Sequence, residues 1–192
     1  RIKHLGIARR TKDGIELRVH PTLIPQERLI ANVNGVKNAV LVQSDAVGST
    51  LYYGSGAGAG PTGSAIVADI VDIVRSLTVE NRCAVPHLAF QPDSLADTPI
   101  LSVEAIKTAY YLRLQANDKS GVLADVTRIL SDNDISIEAI LQKPLHEAGT
   151  VPVIILTKPV LEREMNRAIG SLEALADIVA PVVRIRLETL DA

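Results

Sequence analysis

YYLRLQANDKSGVLADVTRILSDNDISIEAILQK, running from Tyr110 to Lys143, holds a strand, a glycine-bearing turn, a helix and a second strand in one uninterrupted stretch. Tyr111, Arg113 and Gln115 alternate with Tyr110, Leu112 and Leu114, the period of two expected of a strand with one wet face. Val122, Leu123, Val126, Ile129 and Leu130 then recur at helical spacing. Further on, 151–157 reads as a strand, Leu161, Met165, Ala168, Ile169 and Leu172 stripe a second helix over 160–175, and 180–188 alternates Val183, Ile185 and Leu187 with Arg184, Arg186 and Glu188. With strands at 107–116 and 135–143 and a helix at 120–132, the order is βαββαβ, which predicts a ferredoxin-like sheet with both helices on one side.

Upstream, 2–9 and 15–20 are β-rich and separated by Lys12-Asp13-Gly14, a hairpin signal. Pro21 to Asn34 is a punctuated connection with room for a short helix at 26–31, and 36–43 and 47–53 form a second strand pair around Ser44-Asp45. A glycine-rich segment follows, YYGSGAGAGPTGSAIVADI from Tyr52 to Ile70. From Pro61 onward Ile66, Val67, Ile70, Ile73, Val74 and Leu77 mark an amphipathic helix, with Thr62 or Ser64 available to cap it. Residues 79–104 carry Pro86, Pro92 and Pro99 with no sustained period and read as a linker. The fold class is therefore α+β: a mixed or antiparallel sheet remnant, a linker, and a ferredoxin-like βαββαβ domain.

Gly58, Gly60 and Gly63 match G-x-G-x-x-G, but a dinucleotide fingerprint needs a second parallel strand and an acidic residue about 20 positions on, whereas here one helix runs into a Pro-rich stretch. What the glycines do offer is close backbone approach at a helix N-terminus, where free N–H groups and the positive end of the dipole sit. A tight turn without a ligand is the alternative.

The 192 residues are 47% apolar, enough for one or two domains, and the net charge of −2 with scattered Lys and Arg offers no field for a nucleic acid. One cysteine, Cys83, excludes a disulfide framework and points to a reducing compartment. The histidines at 4, 20, 87 and 146 lack metal-ligand spacing, so no metal site is expected. No apolar run approaches the roughly 20 residues needed to span a bilayer, and a cytoplasmic location is the expectation. No G-x-S-x-G elbow or Ser/His/Asp grouping supports hydrolase chemistry. The chain starts directly in a strand without an initiator Met, which suggests a part of something larger.

The stretch VNGVKNAVLVQSDAVGSTLYYGSGAGAGPTGSAIVADIVDIVRSL, with LAFQPDSLADTPIL after it, resembles the C-terminal part of the catalytic region of homoserine dehydrogenase, and 110–143 resembles the ACT domain that follows it in many bacterial members. The resemblance implies three segments: 1–82 from the substrate and dimerisation region, 83–104 as linker, 105–192 as the regulatory ACT domain. It implies NAD(P)-dependent interconversion of homoserine and aspartate semialdehyde by hydride transfer. It further implies that the Rossmann domain, the catalytic lysine and the acidic residues that hold substrate lie before Arg1, so that this chain alone is inactive and contributes no catalytic residue. By position, Gly58, with Gly56 and Gly60 as neighbours, is implied to close over the nicotinamide end of the cofactor.

ACT domains resemble one another in binding a small effector at the turn after their first strand, together with the second strand of a partner subunit. Here the turn is Asn117-Asp118-Lys119-Ser120-Gly121-Val122-Leu123, with Asn117, Asp118, Gly121, Val122 and Leu123 as candidate contacts and Ser136 and Ile137 as the opposing residues. Asp118 suits either an N-terminal cap or an acceptor for an α-amino group. The family's usual turn carries Pro where Ser120 stands. The implied effector is threonine, acting as a feedback inhibitor on a homo-oligomer in threonine, methionine and isoleucine biosynthesis. The rival expectation is a non-catalytic amino-acid sensor in which 1–82 serves only as a dimerisation scaffold.

Overall fold

The computed structural model describes residues 1–78, 90–142 and 149–190; Cys83, Pro86, His87, His146 and most of the first half of the expected linker lie outside the described residues. Contacts divide the chain into two compact units, one formed by Arg1–Pro25 with Pro99–Leu190 and the other by Gln26–Thr98.

In the first unit, β1 (Ile2–Arg10) and β2 (Ile15–Leu23) form an antiparallel hairpin in unbroken register from Ile2↔Leu23 to Arg10↔Ile15. Gly14 makes its turn, with Thr11 N donating to Gly14 O at 2.8 Å. At φ +147 with Pro99 O directly over the position of a Cβ, this residue has no room for a side chain. The close approach lets the 99–101 segment run beside the strand start, Ile15 N donating to Pro99 O at 2.8 Å and Leu101 N to Ile15 O at 2.9 Å.

The rest of this unit is β5 (Lys107–Asn117), α2 (Val122–Asp132), β6 (Ile137–Gln142), β7 (Thr150–Thr157), the short β8 (Val160–Leu161), α3 (Glu162–Glu173) and β9 (Val183–Leu187). In the sheet the order is β1-β2-β9-β5-β7-β6, with β8 off this path beside β5. The last four strands are the expected βαββαβ sheet. Tyr110, Leu112, Leu114 and Ala116 of β5 and Val153 and Ile155 of β7 meet Val122, Val126 and Leu130 of α2 and Met165, Ala168 and Leu172 of α3 in one buried cluster. Each large side chain so buried contributes roughly 1.5–3 kcal/mol, and this cluster supplies the unit's core.

The compact units cut the chain elsewhere than the expected division at 82/83 and 104/105: the N-terminal hairpin packs with the downstream domain, as an extension of its sheet. Only Thr22↔Arg186 and Leu23↔Leu187 pair between β2 and β9, in parallel, with Glu188 N donating to Leu23 O at 3.0 Å. So short a ladder is reinforced by charge. Arg18, with its side chain 2% exposed, donates Nε to Glu16 at 2.6 Å and NH2 to Glu188, whose other oxygen accepts from Arg9 at 3.2 Å. Beside it, Glu162 at the start of α3 is 2% exposed and accepts from the Tyr110 hydroxyl at 2.6 Å and Arg186 Nε at 2.8 Å, with Arg184 at 3.1 Å.

These contacts correct the expected facing of β9. Arg184, Arg186 and Glu188 are turned toward the helix side, where Arg184 stands over the Tyr110 ring, while Val183 on the opposite face is 37% exposed. The polar face goes inward because a buried carboxylate and a buried guanidinium are waiting for it there; unpaired, those charges would be costly to bury.

The second unit contains β3 (Lys37–Ser44) and β4 (Gly48–Ser55), an isolated antiparallel pair, then α1 (Ala59–Thr78). A short 3-10 turn at Leu29–Asn32 stands where the short helix was expected. Because α1 starts at Ala59, Pro61 occupies its first turn, where a missing N–H costs nothing, and Thr62 and Ser64 lie inside the helix rather than capping it. Ile66, Val67, Ile70, Ile73, Val74 and Leu77 are each more than half exposed, so the helix's apolar stripe is uncovered.

Candidate functional site

The strand registers bring one end of the βαββαβ sheet together. Asn117 ends β5 opposite Thr150, and β6 runs parallel to β5, so its last residue Gln142, opposite Val153, lies at the same end. The turn after β5 sits over that end and encloses a cavity of about 260 Å³ lined by Ala116, Asn117, Asp118, Lys119, Ser120, Gly121, Val122, Leu123, Gln142, Val151 and Val153. Drug-sized sites run roughly 300–1,000 Å³, so this one suits a small metabolite.

Gly121 at φ +96 is the N-cap of α2, and no side chain caps the helix. Asp118 is therefore not the cap that one reading expected, and α2 begins at Val122 rather than at residue 120. An uncapped helix start leaves its first N–H groups without intrahelical partners, the arrangement that receives a carboxylate. The turn itself is held from below. Asp118 N donates to Gly149 O at 3.0 Å and Asn117 N to Asp177 O at 2.8 Å. The Asp177 carboxylate accepts from Lys119 Nζ at 2.7 Å and from Asn117 Nδ2 at 2.8 Å, and these bonds, the lysine's first, hold its pKa below the usual carboxylate range.

Asn117, Asp118, Gly121, Val122 and Leu123 are thus brought together, although the Asn117 amide is already committed to Asp177. Ser136 and Ile137 are not brought to them. Ile137 pairs with Thr157, seven residues along β7 from Thr150, which puts it about 23 Å from the turn at the opposite end of the sheet. Lys119, Gln142, Val151, Val153 and Asp177 were not singled out from the sequence; the βαββαβ order, which makes the first and second strands parallel, carried the signal for Gln142.

The glycine loop lies in the other unit. Gly56 N donates to Val36 O at 3.2 Å and Thr62 N to Gly58 O at 3.1 Å, tying the loop to β3 on one side and α1 on the other. Gly58 has φ +115, a conformation that other residues rarely adopt, and a Cβ on Gly56 would overlap the Asn38 amide. Beside Gly60 and Gly63 there is open space, and 56–60 is exposed throughout. The strand before the loop is antiparallel to its neighbour, so the βαβ frame of a dinucleotide fingerprint is absent among the described residues. What remains is a bare, outward-facing backbone cradle at a helix start.

Among the described residues no helix is long and apolar enough to cross a membrane. A homoserine dehydrogenase family model matches residues 1–71, and an ACT domain model matches 110–174. The homoserine dehydrogenase of Pseudomonas aeruginosa is 62% identical over 192 residues, which is 100% of this chain and 44% of that protein. That of Neisseria gonorrhoeae is 50% identical over 190 residues, 99% of this chain and 44% of that protein. The crystal structure of a homoserine dehydrogenase from Thiobacillus denitrificans superposes with a TM-score of 0.90 at 61% identity, over 100% of this chain and 43% of the other. The chain thus spans less than half the length of the relatives that it matches. Its residues 1–71 belong to the homoserine dehydrogenase family, and residues 110–174 form an ACT domain.

Proposed function

We propose that this chain is the regulated C-terminal portion of an NAD(P)-dependent homoserine dehydrogenase, in which 1–82 completes the catalytic region and 105–192 binds an amino-acid effector. The match to homoserine dehydrogenases across the whole chain carries the reading. In the longer polypeptide, a nicotinamide cofactor supplies or accepts the hydride that interconverts aspartate semialdehyde and homoserine. The contribution of these residues is positional: Gly56 and Gly58 of the loop, with Gly60 in the first turn of α1, present backbone without side chains to the ring, and most of the cofactor is held by the rest of the polypeptide.

Threonine is the proposed effector. Its carboxylate would meet the uncapped N–H groups at Val122 and Leu123, and its amino group would meet Asp118, where opposite charge favours the pair. Ser136 and Ile137 serve this site only if a second copy supplies them, which fits a homo-oligomer joined through the exposed edge strand β6. Such an enzyme belongs to threonine, methionine and isoleucine synthesis in the cytoplasm.

Two measurements test the reading. Titration calorimetry should show threonine binding to this chain and a loss of at least tenfold in affinity in Asp118→Ala; equal affinity in the two would remove Asp118 from the site. In the full-length polypeptide Gly58→Val should depress cofactor use sharply, and an unaltered rate would reduce the loop to a turn.

A further inference from the structure

The effector turn and the glycine loop belong to different compact units, and the chain passes from the first to the second directly from β2, through Ile24 and Pro25 to Gln26. The chain returns to the first unit at Pro99, which accepts from Ile15 N at 2.8 Å, so both crossings lie at the hairpin. Two polar ties span the gap inside the first unit. At the turn, Lys119 and Asn117 grip Asp177, and the chain from there reaches β9 within six residues, with Val179 N donating to Gln115 O at 2.9 Å on the way. At the far end of β9, Glu188 is gripped by Arg18 of β2. The backbone joint between β2 and β9 amounts to two paired residues, so the side chains carry much of it.

We propose that Arg18 is the positioning residue that couples effector occupancy at the turn to hairpin β1–β2: its buried guanidinium, bridging Glu16 and Glu188, makes the hairpin and the ACT sheet one body. This rests on the effector reading above. The guanidinium suits the task. Its planar fork reaches one carboxylate on its own strand and another beyond β9, each itself 9% exposed or less, and a fixed fork resists shear between strands better than a flexible ammonium. Removing it strands two carboxylates in a dry place, which opens the joint rather than merely softening it.

The test uses hydrogen exchange on the full-length polypeptide, with threonine as the probe. Without threonine, Arg18→Met should exchange its β1 and β2 amides at least about 100-fold faster than the parent, while β5 and β7 amides keep their rates. With threonine, β2 amides should slow in the parent and not in Arg18→Met, although the two bind threonine within about twofold of each other. Arg18→Lys should restore part of the response, and Glu188→Gln, which keeps the shape, should weaken it in the same direction. Unchanged β2 exchange in Arg18→Met, or equal slowing of β2 by threonine in both proteins, would overturn the proposal. Failure of threonine to bind the parent would overturn it together with the effector reading, and the exchange rates measured without threonine separate that case from a failed joint.

Discussion

Helices α1 and α2 carry equally legible apolar stripes and meet opposite fates. In α2, Val122, Val126 and Leu130 are buried against the sheet; in α1, every apolar position of the stripe faces outward. Periodicity says which face of a helix is apolar. It does not say whether the covering surface is part of the same chain. The ACT sheet brings its own cover, whereas Ile66, Ile70 and Val74 of α1 and Val40 and Tyr52 of the β3–β4 pair stand exposed, in a chain that spans less than half of its relatives' length.

This contrast can be broken at several points. The largest effect is expected at Glu162→Ala, which leaves Arg186, Arg184 and the Tyr110 hydroxyl without their shared acceptor and should cost about 3–5 kcal/mol in denaturant unfolding of the first unit. The same carboxylate sets an acid limit. Burial pushes its pKa up, but the Arg186 and Tyr110 hydrogen bonds and the Arg184 charge prevail and hold it below 4.5. A depressed folded value means that the contribution is fully present above the unfolded value near 4.5 and is lost as pH falls through the folded one. Stability of the parent should therefore decline below that pH, and the slope should flatten in Glu162→Ala.

Next in size, Leu114→Ala in the fully buried cluster should cost about 2–5 kcal/mol, through lost burial and the cavity left behind. Its counterpart on the other helix, Ile70→Ala at 54% exposure, should stay within about 0.5 kcal/mol in this chain. A cost for Ile70→Ala that rises above about 1 kcal/mol in the full-length polypeptide would show that the longer protein covers α1. The smallest effect is expected for Arg128→Ala: its 2.6 Å pair with Asp125 is solvated, and thermal melts should shift by the equivalent of less than about 0.5 kcal/mol.

Most of the architecture was legible in the sequence because its signals are local. The strand pairs, the βαββαβ order and the position of both ACT helices follow from periodicity and turn chemistry, and the turn after β5 follows from where Gly121 sits. The union of the hairpin with the ACT sheet was not legible. It depends on two paired residues and on Glu16, Arg18 and Glu188, charges that a period-two reading assigns to a wet face. Such an assignment fails where oppositely charged strands meet, because paired charges satisfy one another away from water. Within one chain Ser136 and Ile137 lie at the other end of the sheet from the pocket, since a strand's head and tail look alike in composition and only the register fixes which end faces the turn.

The hairpin's place in the sheet has a consequence for anyone who would excise the second unit. The chain departs after the end of β2 and re-enters beside its start, where Pro99 meets Gly14. The two points are one strand length apart, about 27 Å, so a replacement tether shorter than about eight fully extended residues would pull the hairpin out of line. Lengthening the tether is cheap, each doubling costing only about 0.6 kcal/mol in closure entropy, whereas cutting it too short has a hard geometric floor.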